Sequence, residues 1–295
     1  MKESQTLSTR PGRLWVVATP IGNLEDLAPR ARRVLGSADL IAAEDTRHSG
    51  QLLARLGLSV PLLSLHEHNE KARVEGLIAR MRQGQDIALV SDAGTPLVSD
   101  PGFRLVRACR EAGFQVLPVP GPGALLAALS VAGLPSDRFC FEGFLPASGA
   151  ARRERLAVLL AQPVTTICFE SAHRISATGA DLAGLEPDRE VFLAREMTKQ
   201  FEEHFFGPAT ALPDWLAADP NRTRGEFVLV IAPYRRSPNA ESEMQLDATT
   251  DSVLSALVEE LPLKQAVRLA VRITGVARNR LYARALELAA RGAKS

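Results

Sequence analysis

The chain has 295 residues, 46% hydrophobic and 23% charged, a composition that reads as soluble and globular and a length that suits about two domains. Its net charge of +1 excludes bulk attraction to nucleic acid, so any such binding has to come from local patches. No apolar run approaches the length of a membrane span.

Cys109, Cys140 and Cys168 are widely spaced in apolar contexts. They read as buried thiols in a reducing compartment, not as a disulfide frame or a zinc site. The first thirteen residues are polar and lack an apolar signal core, as expected of the ragged start of a cytoplasmic protein.

Leu14-Trp15-Val16-Val17-Ala18 is the first buried strand. It runs into Thr19-Pro20-Ile21-Gly22-Asn23-Leu24-Glu25-Asp26, where Gly22-Asn23 signals a turn, and Pro29 opens a helix through Leu35. The G-x-G-x-x-G dinucleotide fingerprint is missing there. Leu40 to Ala43 is the next strand and ends in Glu44-Asp45-Thr46-Arg47-His48-Ser49. That polar run is either a ligand-facing segment or a solvated loop capping the following helix.

A third strand, Pro61 to Leu65, leads into His66-Glu67-His68-Asn69-Glu70. The histidines and glutamates invite a metal reading, but the H-E-x-x-H helical spacing is absent. No metal is expected; polar substrate contacts or helix capping fit better. An amphipathic helix follows over 71–83.

The organising stretch is Ser91-Asp92-Ala93-Gly94-Thr95-Pro96-Leu97-Val98-Ser99-Asp100-Pro101-Gly102, between a strand at 86–90 and a helix at 103–112. Ala93 and Gly94 let a ligand approach the backbone, Pro96 and Pro101 stiffen the loop, and Asp92 and Asp100 supply acceptors. Alone it reads equally well as a rigid turn. A fifth strand, 115–119, ends in Pro120-Gly121-Pro122-Gly123 and an Ala/Leu helix over 124–132. These units predict an α/β domain over 13–132 with a mainly parallel sheet and right-handed crossovers. Ligands in such sheets bind beyond the carboxyl ends of the strands. Small-residue or polar loops recur there at 19–26, 91–100 and 120–124, which favours a site.

After Gly133-Leu134-Pro135 the pattern changes. Strands are expected at 139–144, 165–169, 191–194, 202–206 and 226–231, with a helix at 152–160. Two strand ends carry polar blocks, Glu170-Ser171-Ala172-His173-Arg174 and Arg195-Glu196-Met197-Thr198-Lys199. A second α/β domain over 133–233 follows, with a cleft between the two. The polar segment 233–250 reads as a linker. Helical patterns then occupy 251–260, 263–274 and 279–290, with Gly275 parting the last two as in a helix-turn-helix hairpin. From Leu261 onward Lys264, Arg268, Arg272, Arg278, Arg280, Arg284, Arg291 and Lys294 face a single acid, Glu287. This module, 251–295, reads as phosphate-contacting, with a solvated tail or a dimerisation hairpin as the alternatives.

As an ordered set over residues 13 to 290, these blocks resemble the tetrapyrrole methylase superfamily, and within it the 16S rRNA cytidine 2′-O-ribose methyltransferase subfamily. The carrying motifs are Thr19–Asp26, Glu44–Ser49, Ser64–Glu70, Ser91–Gly102, Pro118–Gly123, Phe141–Pro146, Phe169–Arg174, Arg195–Lys199 and Gly225-Glu226. Thr19-Pro20-Ile21-Gly22-Asn23 replaces the G-x-G-x-G-D type of first loop, which points away from corrin substrates. The resemblance implies two α/β domains of the tetrapyrrole-methylase type around a cleft that holds S-adenosylmethionine, and a homodimer. It implies a cytidine ribose in the decoding region of small-subunit rRNA, naked or within the assembled subunit, as methyl acceptor. By analogy the cofactor contacts fall on Pro20, Asp92, Val98, Gly123, Ala124, Phe169, Ala194 and Gly225. Lysines expected after Phe144-Leu145-Pro146 are replaced by Ala147-Ser148-Gly149, which moves the basic contact toward Arg152, Arg153 and Arg155. Ala172 stands where proline is expected before His173-Arg174.

Lys199 and Glu170 are the candidates for base or orienter, since both follow strand ends in the second domain. Substrate RNA contacts are expected at Glu44, Arg47, His48, His66, Arg152, Arg174 and Arg195, the arginines as permanently charged forks. Each of these charged residues could instead belong to a structural ion pair. Rival readings are a corrinoid C-methyltransferase and a non-catalytic RNA-binding factor or scaffold.

Overall fold

In the computed structural model, residues 10–234, 246 and 248–292 are described. The chain divides after Tyr234 into two units. Most of the segment expected as a linker, the first nine residues and Lys294 lie outside the described residues.

Short apolar runs become β1 (Leu14–Val17), β2 (Leu40–Ala43), β3 (Leu62–Ser64), β4 (Ile87–Val90) and β5 (Val116–Val119), ordered β3-β2-β4-β1-β5. Every pairing in this sheet is parallel. Parallel strands need both faces covered, and successive side chains point to opposite faces. Leu40, Ala42, Ile87 and Leu89 accordingly pack with Leu77, Met81, Leu105 and Cys109 of α3 (Glu70–Arg82) and α4 (Phe103–Glu111). Ile41, Ala43, Ala88 and Val90 pack with Leu35 and Leu53 of α1 (Pro29–Ser37) and α2 (Thr46–Leu56).

The second sheet is mixed. β6 (Phe139–Phe144), β7 (Thr165–Ser171), β8 (Glu190–Arg195), β9 (Glu203–Pro208) and β10 (Glu226–Ile231) run in the order β6-β7-β10-β8-β9. Only β6–β7 is parallel; the other pairings are antiparallel. One face packs on α6 (Gly149–Leu160), α7 (Ile175–Leu185) and α8 (Leu212–Ala217) through Leu156, Leu182, Leu212, Cys168, Leu193 and Leu229.

The other face carries α5 (Ala124–Val131), which follows the first sheet in sequence. Its Ala128 and Leu129 cluster with Ile167, Phe192, Val228 and Val230. The same cluster holds Ile21 from the loop after β1 and Met197 from the loop after β8. An apolar seam therefore joins the two sheets and fixes how the strand-end loops face one another.

The second unit comprises α9 (Ala248–Glu260), α10 (Leu263–Thr274) and α11 (Arg278–Gly292) around Leu254, Val267, Ala270, Leu281 and Ala285. Gly275 ends α10 at a φ of +70°, a left-handed cap that suits glycine. Among the described residues no helix is long and apolar enough to cross a membrane. All three cysteines are free; Cys109 and Cys168 are buried as expected, whereas Cys140 is only half-buried.

Candidate active site

The carboxyl ends of β1, β2, β4 and β5 are tied to one another through their loops. Thr19 and Gly94 exchange backbone hydrogen bonds, the Thr19 amide donating to Gly94 at 2.9 Å and the Gly94 amide to Thr19 at 3.0 Å. Gly94 has a φ of +80°, and a Cβ there would lie 3.3 Å from Ile21. The Thr19 hydroxyl donates to the Ser91 carbonyl (3.3 Å), and the Thr95 hydroxyl to the Pro122 carbonyl (3.2 Å). The Asp45 amide donates to Asp92 Oδ1 at 3.0 Å. Leu97 and Ser99 sit at φ of +74° and +66°, a left-handed conformation that side chains rarely adopt and that a site can exploit.

Acidic groups gather here. Glu44 and Asp100 both have their carboxyls held above the ordinary range, first by burial. For Glu44 the charges of Asp100 and Asp92 add to this; for Asp100 a hydrogen bond from Ser91 opposes it and the charge of Asp92 adds to it. Such a cluster favours a cation over a phosphate. Asp45 is held down at about 2, chiefly by the side-chain hydrogen bond from Arg47.

The second sheet supplies the opposite wall. Phe169 stacks edge-on against Phe141 at 4.9 Å, and both lie against the apolar seam with Ala124. Gly143 of β6 faces the organising loop: a Cβ there would lie 3.4 Å from the Ser99 hydroxyl. Gly22 is covered by the Lys199 side chain so closely that a Cβ would overlap Lys199 Cγ. Loops of both sheets thus meet at two places.

Lys199 is anchored twice, its Nζ donating to Glu196 Oε1 at 3.0 Å and to Glu226 Oε2 at 2.7 Å. The Glu226 amide also donates to Glu196 Oε1 at 2.9 Å. Burial lowers the Lys199 pKa, but the two hydrogen bonds and charges outweigh it and the net shift is upward. Burial likewise raises Glu196, and its bonds to Lys199 and to the Glu226 amide bring it below the ordinary range. The loop that carries this arrangement is strained, with Glu196 and Thr198 at φ of +53° and +63°. The Thr198 hydroxyl is buried with no hydrogen-bond partner among the described residues.

Most expected cofactor residues come together here. Pro20, Asp92, Val98, Gly123, Ala124 and Phe169 are half-buried and Gly225 is exposed. Ala194 is 0% exposed and lies in the apolar seam behind them. A separate cavity of about 400 Å³ opens among Leu24, Leu27, Arg32, Arg55 and Leu56, and none of the expected cofactor residues lines it.

The structure also corrects several charged candidates. The Glu170 carboxylate is fully buried and accepts from the Ser171 amide (2.7 Å), Arg174 Nε (2.8 Å) and the Thr178 hydroxyl (2.7 Å), so it is a structural anchor and not a base. Arg195 is buried and donates to the Arg224 and Phe201 carbonyls, which leaves it unavailable to phosphate. Arg152 is buried against Asp181 at 2.8 Å, and Arg155 is paired with Glu142, so neither replaces the missing lysines. Arg174 keeps some exposure but is held by Glu170 and the Leu145 carbonyl, above the Phe144 ring. Arg47 and His48 are exposed at the start of α2, which Asp45 caps, so this polar run is the beginning of a helix. His66 is half-buried with Nε2 3.0 Å from Asn69 Nδ2 and with a buried Nδ1 that has no hydrogen-bond partner among the described residues.

Glu196 and Glu226, which fix the lysine, were not singled out as site residues by the sequence reading. The available signal was that each acid borders a strand end and that Gly225 stands beside one of them.

The Tetrapyrrole (Corrin/Porphyrin) Methylases family matches residues 13–213, and the RsmI C-terminal HTH domain matches residues 245–289. Ribosomal RNA small subunit methyltransferase I of Escherichia coli O157:H7 is 50% identical over 288 residues, 97% of this chain and 99% of that protein. Its counterpart of the same name in Pseudomonas aeruginosa is 50% identical over 277 residues, 94% of this chain and 97% of that protein. The fold is shared with uroporphyrin-III C-methyltransferase of Thermus thermophilus in complex with S-adenosyl homocysteine (18% identity, TM-score 0.52, 75% of this chain and 97% of that one). The chain belongs to the tetrapyrrole methylase family, among the proteins named ribosomal RNA small subunit methyltransferase I.

Proposed function

We propose that the protein transfers a methyl group from S-adenosylmethionine to the ribose 2′-hydroxyl of a cytidine in the decoding region of 16S rRNA. The observation that carries the reading is the meeting of the loop after β1 with the Arg195–Lys199 loop, and of the loop after β4 with Gly143 of β6, which brings the strand ends of the first sheet against the second. The near full-length match to proteins of that name supports the substrate class.

The residues present fit the cofactor. Asp92, with Glu44 and Asp100 nearby in charge, suits a cationic ligand. Gly123 and Ala124 leave α5 open to close approach, and Phe169 offers a flat apolar wall. When bound, S-adenosylmethionine supplies a methyl carbon on a positively charged sulfur, open to in-line attack.

Lys199 stays protonated and serves as a fixed cation rather than as a base. Two of its three N–H donors are committed to Glu196 and Glu226. The third is available to a ribose oxygen, and a nearby positive charge makes a hydroxyl easier to deprotonate, the proton leaving to solvent as the new carbon–oxygen bond forms. Positioning supplies much of the rate, up to ~7–11 kcal/mol in favourable systems.

The same reading divides the chain into a cofactor-facing domain at 13–132, a second domain at 133–233 and an RNA-presenting module at 251–295. It takes the protein as a cytoplasmic homodimer. The free thiols support a reducing compartment. Light scattering checks the dimer. The function is tested by mass-spectrometric mapping of ribose methylation in small-subunit RNA incubated with labelled S-adenosylmethionine, with and without the protein. Absence of any protein-dependent label in RNA overturns the proposal.

A further inference from the structure

We infer that RNA is gripped along α10 by a ladder of Lys264, Arg268 and Arg272, which tracks a phosphate backbone without reading sequence. The inference rests on the rRNA reading above and names the surface that carries it.

The three cations recur every fourth residue, so they line one side of α10. All three are exposed. The opposite side of the helix holds Ala266, Val267 and Ala270, buried in the core of the module. Each step of the ladder is about 6 Å along the helix axis, the scale of the step between neighbouring phosphates on a strand.

Nothing within the described module neutralises this row. None of the three cations has an ion-pair partner among the described residues. α10 carries no acid at all. Like charges four residues apart weaken a helix, and the ladder contains two such pairs, Lys264 with Arg268 and Arg268 with Arg272. A merely solvated face would be expected to intersperse both signs. The contrast is Arg284 on α11, whose guanidinium is bound by Asp251 (2.7 Å) and Glu287 (2.8 Å) and is committed to holding the module together.

A polyanion offers the missing counter-charges at matching intervals. In helix-turn-helix hairpins the first helix crosses the nucleic-acid backbone, and α10 is the first of the pair flanking Gly275. A backbone grip of this kind is indifferent to base identity and sensitive to salt.

The test uses the full chain and two RNAs of equal length, a small-subunit rRNA fragment and polyuridine. In the variant K264Q/R268Q/R272Q, affinity for both RNAs falls about tenfold at low salt, and the slope of log affinity against log salt shrinks by about 2, as expected for three lost phosphate contacts. The charge-conserving variant K264R/R268K/R272K restores both quantities. Matching thermal melts show that the module still folds. Unchanged affinity and slope in the glutamine variant, while the wild type methylates rRNA, overturn the ladder and leave the methyl-transfer reading intact. A loss of RNA affinity in a protein whose wild type transfers no methyl group supports the ladder and removes the methyl-transfer reading.

Discussion

Gly225 and Glu196 compete for one volume: the Glu196 carboxylate fills the space that a Cβ on Gly225 would need, with Oε1 2.5 Å from that point. Gly225 also holds a φ of +98°, outside the range of ordinary side chains. The carboxylate that sits there is the one that bonds the Lys199 ammonium and the Glu226 amide. A glycine in a hairpin-like approach therefore sets the position of a cation one loop away.

Gly225→Ala is expected to push Glu196 aside and release Lys199. Left-handed strain costs about 1–2 kcal/mol, and a displacement near 1 Å at a reacting group costs on the order of 10²-fold in rate. Methyl-transfer kinetics and a thermal melt on the same sample check both numbers. Wild-type kcat in the variant would show that the Glu196 carboxylate has no part in positioning.

Lys199 has a folded pKa above its unfolded value. Its contribution to stability is therefore fully present below the unfolded pKa and is lost only as pH rises through the folded one, far on the alkaline side. Lys199→Met is expected to reduce kcat about 10²-fold with little change in cofactor affinity by calorimetry, and Lys199→Arg to recover part of it. A rate profile between about pH 6 and 9 should show no limb that Lys199→Arg removes; such a limb would mean that the amine acts as a base.

Glu44 and Asp100 lie on the other side of that balance. Both carboxyls have folded pKa values above their unfolded ones. Their contribution favours the folded chain below the unfolded pKa and is lost as pH rises through the folded pKa, so at neutral pH the acids repel one another in the free protein. Asp100→Asn should raise the melting temperature at pH 7 relative to the wild type, with a smaller gain at pH 4. The same change should weaken S-adenosylmethionine binding about tenfold. Tighter binding in the variant would show that the cluster does not face the cationic cofactor.

The strands of both sheets were legible because each is a short apolar run ended by Gly, Pro or a polar block. α7 and α8 escaped. In α7 the apolar period is broken by Gly179, Gly184 and Thr178, the last turned inward to bond Glu170. The loops at the carboxyl ends of the first sheet were legible as small-residue turns at strand ends. The charged candidates were not, since a sequence shows an arginine without its partner: Arg152 and Arg195 looked free for phosphate until Asp181 and two backbone carbonyls were found to hold them. The seam of α5 on the second sheet was hidden for a related reason, because a helix apolar at every position but Ser130 does not say which sheet it covers.

Glu170 brings the distinction between holding and reacting to a measurement. Its carboxylate has no exposure and accepts from Arg174, Thr178 and the Ser171 amide, so three of its four acceptor positions are engaged and none is open to a substrate. It ties the end of β7 to the first turn of α7. Replacing it by alanine strands the Arg174 guanidinium and the Thr178 hydroxyl, at a cost of about 3 kcal/mol, the low end for a broken buried pair because Arg174 still reaches water. Glu170→Ala is therefore expected to lower the melting temperature clearly while kcat, measured well below the transition, stays within about threefold of the wild type. Glu170→Gln, which keeps one acceptor, should recover part of the stability. A general base would give the opposite pattern, a rate loss of about 10²-fold or more at unchanged stability.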